Sequence, residues 1–136
     1  MATYTKFNCF VEDIAEKVHN LGSDTLKVAL TNSAPSASNT VLANITEISY
    51  TNLSSRNLTA TSSAQTSGTY KLVISDLTLT SSGGSTGPFR YIVIYNDTST
   101  SDSLIAYFDY GSSLTLGDTD TLTLDFDGTN GLLQIT

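Results

Sequence analysis

Apolar side chains between residues 7 and 21 recur every three or four positions, at Phe7, Phe10, Val11, Ile14, Val18 and Leu21. That period predicts an amphipathic helix over residues 8–21, with one face packed on the rest of the chain. Asn8 stands where an N-cap belongs and Gly22 where a C-cap does. Glu12, Asp13 and Glu16 fall towards the start and Lys17 and His19 towards the end, which complements the helix dipole.

After Gly22 the period shortens to two, the mark of strands with one buried and one wetter face. Leu26, Val28 and Leu30 alternate first. Residues 32–39, with Pro35 among them, read as a loop, and Leu42, Ile45 and Ile48 recur at three-residue steps that leave helix and strand open. Residues 50–68 are polar and are expected to form a long solvent-facing loop, with a candidate strand near Leu58. Clear strands follow around Tyr70-Leu72-Ile74, Phe89-Tyr91-Val93-Tyr95, Leu104-Ala106-Phe108-Tyr110 and Leu122-Leu124-Phe126, with Leu77-Leu79 and Leu132-Ile135 beside them. Alternation places Phe89, Tyr91, Val93 and Tyr95 on one face.

Turn signals at Gly111, Gly117 and Gly128, and in residues 81–88 and 96–103, punctuate these strands. Many short strands and a single helix available for crossovers predict a mainly β fold, an antiparallel β-sandwich or jelly-roll-like single domain over residues 1–136 with one N-terminal α-helix. A length of 136 residues suits one core, and neither a repeat nor a linker divides the chain.

Composition adds a surface to this picture. The chain holds 22 threonines and 19 serines but only 14% charged residues, so short hydroxyls and asparagines must cover much of the outside. Thirteen acids against six scattered cations give a net charge of −7, which disfavours nucleic acid and anionic membranes as partners. Cys9 is the one cysteine, so no intrachain disulfide is available. The first residues are too polar for a signal peptide and no apolar run approaches the ~18 residues of a membrane span, so synthesis in the cytoplasm is expected. Four Asn-x-Ser/Thr sequons, at Asn44, Asn52, Asn57 and Asn96, are what so many hydroxyls produce by chance.

Candidate chemistry is sparse. His19 is the only histidine, and no nucleophile or orienting carboxylate is marked out beside it, so a solvated or cap-bonding role at the helix end is expected. Cys9, among apolar neighbours, reads as a buried structural thiol. Asp118 with Asp120 and Asp125 with Asp127 are alternate carboxylates that calcium could take. Asp125 and Asp127, the weak metal candidates, lack the spacing and distal Glu of an EF-hand, and Asp before Gly128 is ordinary turn chemistry. The same pair without any Trp is a poor glycosidase site. Residues 81–87 lack the Lys of a phosphate loop, and Thr115 replaces the closing Gly of a nucleophile elbow after Gly111. No catalytic residue, metal or cofactor is expected.

Three stretches carry a resemblance: Val18-His19-Asn20-Leu21-Gly22-Ser23-Asp24-Thr25-Leu26-Lys27-Val28-Ala29-Leu30-Thr31-Asn32, Gly87-Pro88-Phe89-Arg90-Tyr91, and Asp109-Tyr110-Gly111-Ser112-Ser113. Together with the order of elements over most of the chain, they resemble small structural proteins of tailed bacteriophages, the head decoration or cement proteins. The resemblance implies a non-enzymatic virion protein on the capsid surface, commonly a trimer, attached non-covalently to the major capsid protein. The N-terminal segment and residues 32–67 are the expected contact elements, with Phe7, Phe10, Tyr50, Asn57 and Tyr107 as candidate interface residues. The alternative is a receptor- or glycan-binding module of a tail or fibre, using residues 50–57 and 96–102.

Overall fold

The computed structural model describes residues 2–136. Strand β1 (Thr3–Lys6) leads into helix α1 (Cys9–Ala15), strand β2 (Leu26–Thr31) and a 3-10 turn at Leu42–Asn44. Seven strands follow: β3 (Ala60–Thr66), β4 (Thr69–Ile74), β5 (Leu77–Thr80), β6 (Thr86–Asn96), β7 (Leu104–Leu116), β8 (Thr121–Leu124) and β9 (Leu133–Ile135). They form a four-stranded sheet in the order β1-β7-β6-β2, a three-stranded sheet β3-β4-β9 and a pair β5-β8. Every pairing is antiparallel. The fold is thus the expected mainly β, sandwich-like arrangement with one helix.

The four-stranded sheet is covered on both faces. Val28, Leu30, Ile92, Ile94 and Ala106 meet Leu72, Ile74, Leu79, Phe126 and Leu133 from the smaller sheets and the segment before β9. On the opposite face Ala29, Val93, Tyr95 and Leu104 pack with Phe7 and Ile45, with Leu42 against them. Each large apolar side chain so buried contributes about 1.5–3 kcal/mol. The segment that left helix and strand open therefore closes one face as irregular chain.

Register shifts in β6 and β7 decide which side chain goes where. They lie between Thr86 and Phe89, Phe89 and Tyr91, and Ile94 and Tyr95. An extra residue in one strand reverses the facing of everything beyond it. Phe89 accordingly joins Ile92 and Ile94 rather than Val93 and Tyr95, and Leu104 lies opposite Ala106. The expected single face for Phe89, Tyr91, Val93 and Tyr95 is corrected on this ground.

The helix is shorter than its apolar period predicts, ending at Ala15 instead of residue 21. Lys17 adopts the left-handed conformation (φ 66°), and Val18 N donates to Asp13 O at 2.9 Å. That six-to-one bond is a Schellman closure with Lys where glycine is usual. Val18, His19, Asn20 and Leu21 then run as irregular chain; Leu21 is buried without being helical. Asn8 occupies the N-cap but its side chain makes no cap bond.

The expected loop at residues 50–68 contains β3, whose seven residues are all exposed. It pairs with β4 through a two-residue turn in which Ser67 and Gly68 both have positive φ, the hairpin geometry that matches strand twist. No apolar alternation marks this strand, because neither face is buried.

Lys17→Gly is expected to raise stability by about 0.5–1 kcal/mol, since glycine removes the left-handed strain and returns part of the gain as unfolded-chain entropy. A urea-unfolding midpoint that stays put or falls would contradict this account of the helix stop.

Candidate functional site

Among the described residues the large apolar side chains left exposed are Tyr4 (40%), Val11 (56%), Tyr110 (45%) and Ile135 (38%). Tyr4, Val11 and Ile135 border one groove of about 480 Å³, between β1, α1 and β9. Tyr110 borders a second, of about 220 Å³, over Phe108, Ile92, Leu122, Leu124 and Phe126 between β7 and β8. The two adjoin: Ala2 lines one and Tyr4 the other, and the Tyr4 ring meets Phe108 edge-on at 5.3 Å. One side of the molecule, centred on β1, therefore gathers the exposed apolar material. Singly exposed apolar residues are ordinary, whereas a grouped set marks a contact surface.

A second organised region is polar and lies at the other end of β6. Asn96 is wholly buried and uses its entire side-chain amide. Its Oδ1 accepts from the backbone N–H of Thr98 (2.9 Å) and Ser99 (3.3 Å). Its Nδ2 donates to Asp24 Oδ2 (2.7 Å) and to His19 Nδ1 (3.0 Å). Turning the amide over would set its N–H groups against two N–H donors and its oxygen against a carboxylate, so the orientation is determined. Asp24 Oδ2 also accepts from Asn20 N at 2.7 Å, and Ser99 Oγ bridges Asn96 O and Ser103 N. One asparagine thus ties the chain after α1 to the turn between β6 and β7.

His19 is consequently not the solvated or capping residue its position suggested. It is buried, 5% exposed, with its ring stacked on Phe10 at 5.4 Å between centroids. Because Nδ1 accepts from Asn96, the neutral ring carries its proton on Nε2, which has no hydrogen-bond partner and lies 3.9 Å from Asp13 Oδ2. Burial, opposed by Asp13 and Asp24, lowers its pKa from the ordinary 6.5.

The expected interface residues divide sharply. Phe7 and Phe10 are core residues, and Phe10 also lines the floor of the groove between β1, α1 and β9. Tyr107 is half-buried, against Phe7 at 5.2 Å and Tyr91 at 6.5 Å. Tyr50 is also half-buried: its hydroxyl donates to Glu47 Oε1 (2.7 Å) and accepts from Leu30 N (2.9 Å), and the Arg56 guanidinium covers its ring at 3.8 Å. Burial first, then the Glu47 carboxylate, pushes the Tyr50 phenol pKa up. Asn57 alone of the five is exposed, opposite Lys27 in a lone β-bridge. Val11 could have been found earlier, because Phe10 and Val11 are adjacent on a helix and cannot both point into the core.

Asp127 is committed to its turn. Its Oδ1 accepts from Thr129 N and Asn130 N, each at 2.8 Å, and its Oδ2 from Asn130 Nδ2 at 2.8 Å. These donors, Asn130 foremost, hold its pKa below the ordinary value. Asp125 is exposed at the rim of the Tyr110 groove, and no three His, Cys, Asp or Glu residues gather as metal ligands among the described residues. Cys9 Sγ lies 3.6–3.7 Å from the carbonyls of Asn39, Thr40 and Leu104, and burial followed by Asp13 pushes its thiol up to about 11. A thiol so protonated is a poor nucleophile at neutral pH. No helix among the described residues is long and apolar enough to cross a membrane.

Set against known proteins, the chain matches no family model, no curated protein and no solved structure.

Asn96→Ala is expected to cost about 2–4 kcal/mol, because it removes a partner of the half-buried Asp24 carboxylate and strands two backbone donors and the buried His19 acceptor together. A thermal or urea unfolding curve within about 0.5 kcal/mol of wild type would show that the network does not carry this weight.

Proposed function

We propose that this chain is a structural virion protein of a tailed bacteriophage that decorates the capsid exterior. The proposed partner is the major capsid protein, held without covalent chemistry. The observation that carries this reading is the grouping of Tyr4, Val11, Tyr110 and Ile135 around β1, on a body whose main sheet is packed on both faces. A rigid scaffold with one apolar side suits durable docking, and the hydroxyl-rich remainder, with net charge −7, suits dense display in solution. The resemblance of residues 18–32, 87–91 and 109–113 to head decoration proteins points the same way and suggests a trimer, in which symmetry multiplies modest contacts.

The test is attachment to undecorated capsids of the phage. Val11→Glu combined with Tyr110→Ser is expected to lower occupancy at least about tenfold, equivalent to roughly 1.4 kcal/mol, with the unfolding midpoint unchanged. Binding to host cells without any binding to capsids would instead support a receptor-binding module of the tail, and undiminished occupancy in the double variant would remove the surface of Val11 and Tyr110 from the attachment face.

A further inference from the structure

We propose that His19, Asn96 and Asp24 form an acid-released latch fastening the chain after α1 to the β6–β7 turn. The inference stands apart from capsid attachment and rests on the geometry of one hydrogen bond. Asn96 Nδ2 can donate to His19 Nδ1 only while that nitrogen keeps its lone pair. The amide cannot turn over in response, because Thr98 N and Ser99 N occupy its oxygen and Asp24 needs its other N–H. A proton arriving at Nδ1 therefore sets donor against donor, and the ring must leave Asn96 to accept it.

The charged and titratable groups facing the ring set where it goes. From α1, Asp13 Oδ2 lies 3.9 Å from Nε2. From the connection, Asp24 shares the Asn96 amide, and Lys17 lines the same open cleft of about 510 Å³. From β4, Tyr70 lines its far wall, while Asp97 on the β6–β7 turn is paired with Lys27 at 3.2 Å. Two carboxylates thus await an imidazolium that has left Asn96, Asp13 on α1 and Asp24 on the segment that the latch holds. Departure of the ring uncovers the face of Phe10 on which it stacks.

The direction of the pH response follows from linkage. The closed state binds the proton more weakly than an ordinary histidine does, whereas the open one, freed of burial and near two carboxylates, binds it at least as tightly as a free histidine of pKa about 6.5. Above about pH 6.5 both states are neutral and the latch is at full strength. As pH falls below that value the open state gains protons first, so opening is favoured progressively until the lower closed-state value is reached. Carboxylates titrate mostly below this range, and His19 is the only histidine in the chain.

Hydrogen exchange of the whole chain at pH 7.5 and 5.5, corrected for the intrinsic pH dependence, reads the opening directly. The amides of Asn20, Thr98, Ser99 and Ser103 are expected to open up to about tenfold more at pH 5.5, the ratio one proton on a group of pKa 6.5 produces. Amides of β4 and β5 should not follow. His19→Asn, which keeps an acceptor facing Asn96 but takes no proton, should retain the protection at pH 7.5 and lose the pH dependence. Equal opening at both pH values in wild type, or the same pH dependence in His19→Asn, would overturn the latch. Should that variant not fold, nitrogen NMR of the wild-type imidazole decides: titration below 6.5 with the neutral proton on Nε2 supports the latch, and titration at or above 6.5 overturns it.

Discussion

Burial of the β1-β7-β6-β2 sheet on both faces is the constraint from which the rest of the molecule follows. Strand β6 sends Ile92 and Ile94 into one cluster and Val93 and Tyr95 into the other, so the sheet cannot bend towards either side without opening the opposite one. Two small sheets close one face, while Phe7 and the irregular chain carrying Leu42 and Ile45 close the other.

That double coverage explains how far the sequence could be read. Strands with one dry face, such as β4 and β5, alternate plainly. The antiparallel, sandwich-like class follows from them and from the scarcity of helix. Where both faces are dry, as in β6, alternation only tells the two sides apart, and each bulge swaps them. Where both faces are wet, as in β3, no hydrophobic signal exists at all. The apolar period of residues 7–21 reports burial correctly at Phe7, Phe10 and Leu21, yet Phe7 precedes the helix and Leu21 follows its end. Periodicity records which side chains are dry; the left-handed Lys17 that breaks the helix leaves no mark in it.

The candidate sites were less legible still, for a related reason. Of the candidate interface residues, Phe10 is held against His19 and Tyr50 between Glu47, Arg56 and the more distant Leu30. The Asn96 cluster joins residues 19 and 24 to residues 96–103, a separation that no local pattern spans. Its members read singly as a helix-end histidine and unremarkable turn residues. What joins them is the β2–β6 pairing, which sets Leu26 opposite Asn96.

The position of Asn96 also bears on how the protein can be made. Asn96-Asp97-Thr98 satisfies the acceptor rule for N-linked glycans, and its amide nitrogen is the atom that holds Asp24 and His19. A chain passed through a secretory pathway would offer that nitrogen to the glycosylation machinery before β6 had closed on β2. A sugar attached there would occupy the space of both partners, so a eukaryotic secretion host would yield material barred from its native core, whereas a bacterial cytoplasm would not.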